Sequence, residues 1–191
     1  MKPTSTFFSY NQEKVTEAIL YIIERVQEPA SPLRISKFLY FADKTHLEKY
    51  ARPITGDDYV ASSTGVRTFR SYETMKASEL SANNPTFHRL GHAMIADRKS
   101  DFNEMSESDI EVLQQTINIY DIFPTWHINK LSQDSIWYKT RPWPPPTAHA
   151  TYDVDFLDVI ESVDEEGELL AYLMRDVDDP QPDLNSDNDI Y

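Results

Sequence analysis

The sequence predicts a mainly α (α+β) fold: a helical domain with a buried central helix and a small antiparallel β-sheet. Three observations carry this expectation. Residues 33–50 are apolar on more than one side of a helix, residues 15–26 and 110–120 keep single apolar stripes at helical spacing, and short β-rich runs stand at 59–62 and 87–96.

Residues 1–9 read as a frayed lead-in. Val15, Ala18, Ile19, Ile22, Ile23 and Val26 then give one face to a helix from about Asn11 to Gln27, which stops before Glu28-Pro29. Ser31 can accept from free first-turn amides, and Pro32 has the φ a helix start prefers and no amide to leave unpaired. Leu33, Ile35, Phe38, Leu39, Phe41, Ala42, His46, Leu47 and Tyr50 follow, too densely for a single stripe, so this helix is expected at the centre.

Arg52-Pro53 ends the central helix, Gly56-Asp57-Asp58 turns the chain, and Tyr59-Val60-Ala61 is a strand. Ser63-Thr64-Gly65 is a turn, after which Val66, Phe69, Tyr72 and Met75 suggest a short helix, and Asn83-Asn84-Pro85 breaks the chain. Phe87–Leu90 and His92–Ala96 flank Gly91 as two extended pieces or one bulged strand. Ser106-Glu107-Ser108-Asp109 has capping-box spacing, and Ile110, Leu113, Ile117 and Tyr120 form the inner face of the helix it opens. Thr125 is placed to cap a short helix carrying Trp126 and Leu131, and residues 134–138 form another turn of helix. Residues 141–146, RPWPPP, read as an extended polyproline strap or linker. Ile160, Val163, Leu169, Leu170, Leu173 and Met174 imply one or two terminal helices with a break at residues 164–167. The layout is a lead-in at 1–9, a body at 10–162 and an acidic extension at 163–191, disordered after about 177.

The run LYFADKTHLEKYARPITGDDYVA, residues 39–61, with Lys37 before it, closely resembles the signature of the Panacea family, the SocA-like antitoxin domain. Weaker similarity continues through MSESDIEVL and TWHINKLSQDSIWYK, so the resemblance covers roughly Val15 to Ser162. It departs at Ser63-Thr64-Gly65-Val66, where the family usually has Tyr-Gly-Pro. The resemblance implies a non-enzymatic antitoxin that neutralises a toxin encoded beside it by direct binding; some members deliver the toxin to a protease as adaptors, and some are carried by phages or mobile elements. On that resemblance the partner-binding candidates are Lys37, Tyr40, Asp43, His46, Tyr50, Asp57 and Tyr59. Asp43 and His46, three apart on one helix face, are expected to form a structural or partner-facing pair.

Composition narrows the function classes. The 191 residues are 40% hydrophobic and 12% aromatic, enough for one domain with a core. No apolar run is long enough for a membrane span and the start lacks a signal-peptide pattern, so the expected compartment is the cytoplasm, with no membrane partner. Absence of cysteine excludes disulfides, thiolate metal sites and a cysteine nucleophile. Nucleotide-binding and hydrolase motifs are missing, and four glycines leave little with which to build a phosphate cradle. No cofactor or metal is expected: His88 and His92 flank a glycine in an extended stretch, and Asp57 and Asp58 are explained by turn chemistry, an Asp accepting from amides two residues on. A small hydrolase or metal enzyme is the disfavoured alternative.

Net charge is −14, and its placement matters more than its size. Residues 150–191 hold 14 of the 32 acids and one of the 18 bases, while the rest of the chain is nearly neutral. Such an end repels nucleic acid and draws basic partners, so a basic toxin is the expected partner and nucleic acid is disfavoured. Asp176, Asp178 and Asp179 are the candidates for this contact; the alternative is a solvating tail. Trp126 and Trp137 are expected in packing roles, and Trp143, among prolines, is the tryptophan expected to be exposed and a further partner candidate. Oligomeric state is not legible.

Overall fold

The computed structural model describes residues 3–78, 86–142, 147, 150–164 and 166–178. The predicted class is the observed one: eight α-helices and two small antiparallel sheets among the described residues. Helix α1 spans Gln12–Arg25, with Asn11 accepting from the Lys14 amide as its cap, and α2 spans Pro32–Tyr50. Ser31 accepts from the Arg34 amide, and Ala51 closes α2 in the left-handed conformation at φ 56°.

Helix α2 is the axis of the molecule. It packs against α1, against α3 (Arg70–Ala77), α4 (Glu107–Tyr120) and α5 (Thr125–Leu131), and against strand β2 (Gly65–Thr68). Ile35, Phe38, Leu39, Tyr40 and Ala42 have no exposed surface, as a helix covered on several sides requires. The capping box at Ser106 forms: its hydroxyl accepts from the Asp109 amide, and the Asp109 carboxylate accepts from the Ser106 amide. Helices α6 (Ser135–Thr140), α7 (Phe156–Glu161) and α8 (Glu168–Asp178) complete the chain in the expected order.

Strand β1 (Tyr59–Ser62) is the middle of a sheet ordered β2-β1-β5, where β5 is Tyr152–Asp153. Tyr59 faces Thr68 and Ser62 faces Gly65 across the β1–β2 hairpin. The expected helix beginning near Val66 is therefore corrected: Val66-Arg67-Thr68 is a strand, and the helix starts at Arg70. Gly65, at φ 107°, lies so close to Ser132 that a Cβ would collide with its hydroxyl, which fixes the hairpin tip against the end of α5. The second sheet is a hairpin of β3 (Phe87–Leu90) and β4 (Ala93–Ala96) turning at Gly91, so the two extended pieces are separate strands.

The lead-in is a second correction. Residues Thr4–Thr6 form a 3-10 turn, the Thr4 amide donates to Asp58 Oδ1 at 3.1 Å, and Phe7 and Phe8 lie against Phe156 at ring separations of 5.6 and 5.9 Å. Gly56 permits this approach, because a side chain there would strike the Ser9 carbonyl. The expected break at residues 83–85, the polyproline run at 143–146 and the chain after Asp178 lie outside the described residues.

Candidate functional site

The residues that carry the family resemblance converge on the interior. Asp43, on the fourth turn of α2, accepts from the Ile54 and Thr55 amides at 2.8 and 2.9 Å and from the Tyr59 hydroxyl at 2.9 Å, so one carboxylate ties the helix to the loop and strand after it. Burial pushes Asp43 up to about 6, against the downward pull of its donors on Thr55 and Tyr59. Asp57 accepts from the Arg70 amide at 2.8 Å and from the Ser71 amide and hydroxyl at 2.8 and 2.7 Å. It thus caps α3 from outside the helix; Phe69 at the N-cap position provides no side-chain cap. That corrects the local turn chemistry expected of Asp57, whose partners are 13 and 14 residues away.

Lys37 is buried, and its amine donates to the Thr64 carbonyl at 2.7 Å, the Val66 carbonyl at 3.4 Å and the Ser132 hydroxyl at 2.6 Å. All three partners are neutral, and burial, aided by the Arg67 cation, pushes its pKa down to about 7. Tyr40 donates to Asp134 Oδ2 at 2.7 Å, where Lys44 also binds at 3.0 Å. Burial holds the Tyr40 and Tyr59 hydroxyls well above the usual phenol range.

Asp43 and His46 do not form the expected pair. Asp43 is drawn to the loop at Ile54-Thr55, whereas His46 Nδ1 lies 2.7 Å from the Arg52 carbonyl and so carries a proton there. Its Nε2 sits 3.1 Å from the Ser108 hydroxyl and 3.2 Å from Asp109 Oδ1. A serine–histidine–acid relay needs its serine and its acid on opposite nitrogens; here both meet the same one. The arrangement is a staple between the end of α2 and the start of α4. Burial depresses the imidazole, which favours its neutral form. Among the described residues no three His, Asp or Glu side chains gather as metal ligands, and His88 pairs with Asp97 at 2.8 Å.

Of the candidates on α2, Tyr50 alone is open to solvent, at 40% exposure, with its hydroxyl on Glu111 and its ring against His46. Lys37, Tyr40, Asp43, His46, Asp57 and Tyr59 are buried. Asp176 and Asp178 lie in the last turn of α8, and Trp143 and Asp179 lie outside the described residues.

The stretch from Ile119 to Tyr138 has a different character. Ile119, Ile122, Trp126, Leu131 and Tyr138 are all exposed, Trp126 at 67%, and they come from one stretch that ends α4 and forms α5 and α6. Trp126 corrects its expected packing role. Thr125 is the first residue of α5 rather than its cap, Pro124 holds the N-cap position without a side-chain bond, and the helix buries Ile128 instead. Trp137 packs as expected and donates from Nε1 to the Ser62 carbonyl at 2.6 Å. Two clefts adjoin residues of this stretch, Ile122 at one and Leu131 at the other. One, of about 670 Å³, runs between Gln27, Glu28, Pro29 and Arg34 on one side and residues 121–125 on the other. A second, of about 350 Å³, lies between Phe41, Lys44, Thr45 and Glu48 of α2 and Tyr120, Leu131, Asp134, Ser162 and Val163.

Exposed isoleucines and aromatics beside clefts give a protein partner desolvatable anchors. The reading from sequence missed Ile119, Ile122 and Tyr138. Ile119 was detectable in principle: it stands off the buried stripe of α4, which runs through Asp109, Val112, Leu113, Thr116 and Ile117.

The model of one protein family, described as Antitoxin SocA-like, Panacea domain, matches residues 35–138, just over half of the chain. No curated protein and no solved structure matches it.

Proposed function

Because the chain belongs to the SocA-like, Panacea-domain antitoxin family, we propose that it neutralises a cognate toxin by binding it directly, through the face that α4, α5 and α6 present. Family membership supports an antitoxin role in general, and it is the observation that carries this reading. The place of contact rests on Ile119, Ile122, Trp126, Leu131 and Tyr138, whose exposure has no use in folding. Tyr50 extends the contact at the far end of α2, while Lys37, Tyr40, Asp43, His46, Asp57 and Tyr59 act by holding α2, the β1–β2 hairpin and α4 in register. Among the described residues no helix is long and apolar enough to cross a membrane.

The acidic end belongs to the same reading. With six acids and no base in residues 176–191, it speeds encounter with a basic toxin. Co-expression with the product of the adjacent gene tests the whole: the expected result is restored growth together with a stable complex on purification. Growth restored with no complex, and with toxin levels falling only when a host protease is present, would replace occlusion by delivery. No rescue and no association would remove the antitoxin reading.

A further inference from the structure

The 350 Å³ cleft beside α2 has a composition more specific than an apolar patch. One of its walls is aromatic: Phe41, largely buried, and Tyr120, half-buried, stack on each other at 4.3 Å between ring centres with only 19° between their planes. Leu131 and Val163 close its sides, and the exposed carboxylate of Glu48 stands on its rim. Its own cation is already engaged, since Lys44 binds Asp134 Oδ2 at 3.0 Å. Around Ser162 the cleft continues toward Lys139, which is likewise held by Asp158 and Glu161, at 2.5 and 3.0 Å. Counting Lys44, Glu48, Asp134, Lys139, Asp158 and Glu161 leaves the combined surface with two uncompensated negative charges.

We propose that this cleft is a receptor for an arginine side chain presented by the partner. The geometry favours a guanidinium over other groups. Its planar face is attracted by an aromatic wall, its edge donates in pairs to a carboxylate, and its weaker hydration lets it leave water more easily than an ammonium does. An apolar anchor alone would leave Glu48 facing a desolvated surface without a donor, and an acidic segment would meet like charge. The identity of the partner rests on the antitoxin reading; the pocket itself does not.

Two measurements separate these. In NMR titrations of the full chain, acetyl-arginine amide shifts the amides of Thr45, Glu48 and Tyr120 saturably. Acetyl-leucine amide leaves them in place, and the Glu48→Lys variant abolishes the arginine response while keeping the wild-type denaturation midpoint. Absence of a saturable shift overturns the pocket whatever the protein's role. With the toxin that the wild type neutralises, Glu48→Lys weakens binding by about tenfold or more, the range for a desolvated charge contact. Glu107→Lys, an equal charge change on an exposed site at the start of α4, weakens it by no more than about threefold, the range for a rim charge. Equal losses in both variants would reduce the effect to the overall field and overturn the assignment of the pocket to the partner; failure of the wild type to rescue would instead strike the antitoxin reading.

Discussion

Two regions of this molecule carry polar and aromatic side chains to opposite ends. In the segment from Ser31 to Ser62, Lys37, Asp43, His46 and Tyr59 are turned inward, where each joins α2 to a later element. In residues 119–138, Ile119, Ile122, Trp126 and Tyr138 are turned outward, although removing such side chains from water is favourable. The residues that carry the close resemblance build the frame, and residues 119–138, which the family model also matches, furnish the surface. A family resemblance centred on buried residues therefore specifies the fold more tightly than it specifies the partner.

The largest effects should come from breaking the frame. Leu39→Ala, which empties a fully buried site, is expected to cost about 2–5 kcal/mol, and Asp43→Ala, which orphans the Ile54 and Thr55 amides, about 3 kcal/mol. Both should appear as lower denaturant midpoints, and midpoints unchanged within error would mean that the frame is elsewhere. Phe41→Ala should behave like Leu39→Ala, with added loss of its stacking on Tyr120.

Lys37 sharpens the comparison through pH. Its folded pKa of about 7 lies below the ordinary value of 10.5, so between these limits the unfolded chain binds more protons than the folded one. Stability contributed by this group must then rise as pH increases from about 7 toward 10, with a slope no greater than about 1.4 kcal/mol per pH unit, and be lost as pH falls back through the folded pKa. The difference between wild type and Lys37→Met, taken by denaturation across that window, isolates the effect from the tyrosines; parallel curves would show that the amine is solvated in the folded state.

On the outward face the order of effects reverses. Trp126→Ala should change folding stability by no more than about 0.5 kcal/mol while weakening the toxin complex by about 2 kcal/mol. A destabilised fold with unchanged affinity would assign Trp126 to the frame. Smallest of all, deleting residues 179–191 should leave the midpoint unaltered and slow association a few-fold at low salt, with the difference fading as salt rises. Equal association rates at two salt concentrations would make the segment a solvating tail.

Much of the frame was legible because its signals are local. Ser31-Pro32 marks a helix start by chemistry confined to two residues, and Ser106 with Asp109 does the same for α4. The β1–β2 hairpin was less legible because Val66, Phe69 and Tyr72 also fit helical spacing, and because the tip is fixed by Lys37 and Ser132, 27 and 68 positions from Thr64. Burial of Lys37, Asp43 and Asp57 was misread for a related reason. A polar residue in a sequence suggests water unless its donors or acceptors are known, and these are supplied by residues far along the chain. Trp126 was misplaced by the opposite assumption, that a tryptophan on a short helix must be covered.

The docking of Phe7 and Phe8 on Phe156 also bears on the order in which the chain acquires its shape. During synthesis the first aromatic residues leave the ribosome long before their cover exists, and Tyr59, stacked on Phe156 at 6.3 Å, waits with them. A nascent chain of a hundred residues can already own α1, α2 and both hairpins, yet it exposes this aromatic cluster until helix α7 is made. Closure of this seam therefore waits until residues 156–161 have been made. Chains that stop short of α7 leave Phe7, Phe8 and Tyr59 without their Phe156 partner.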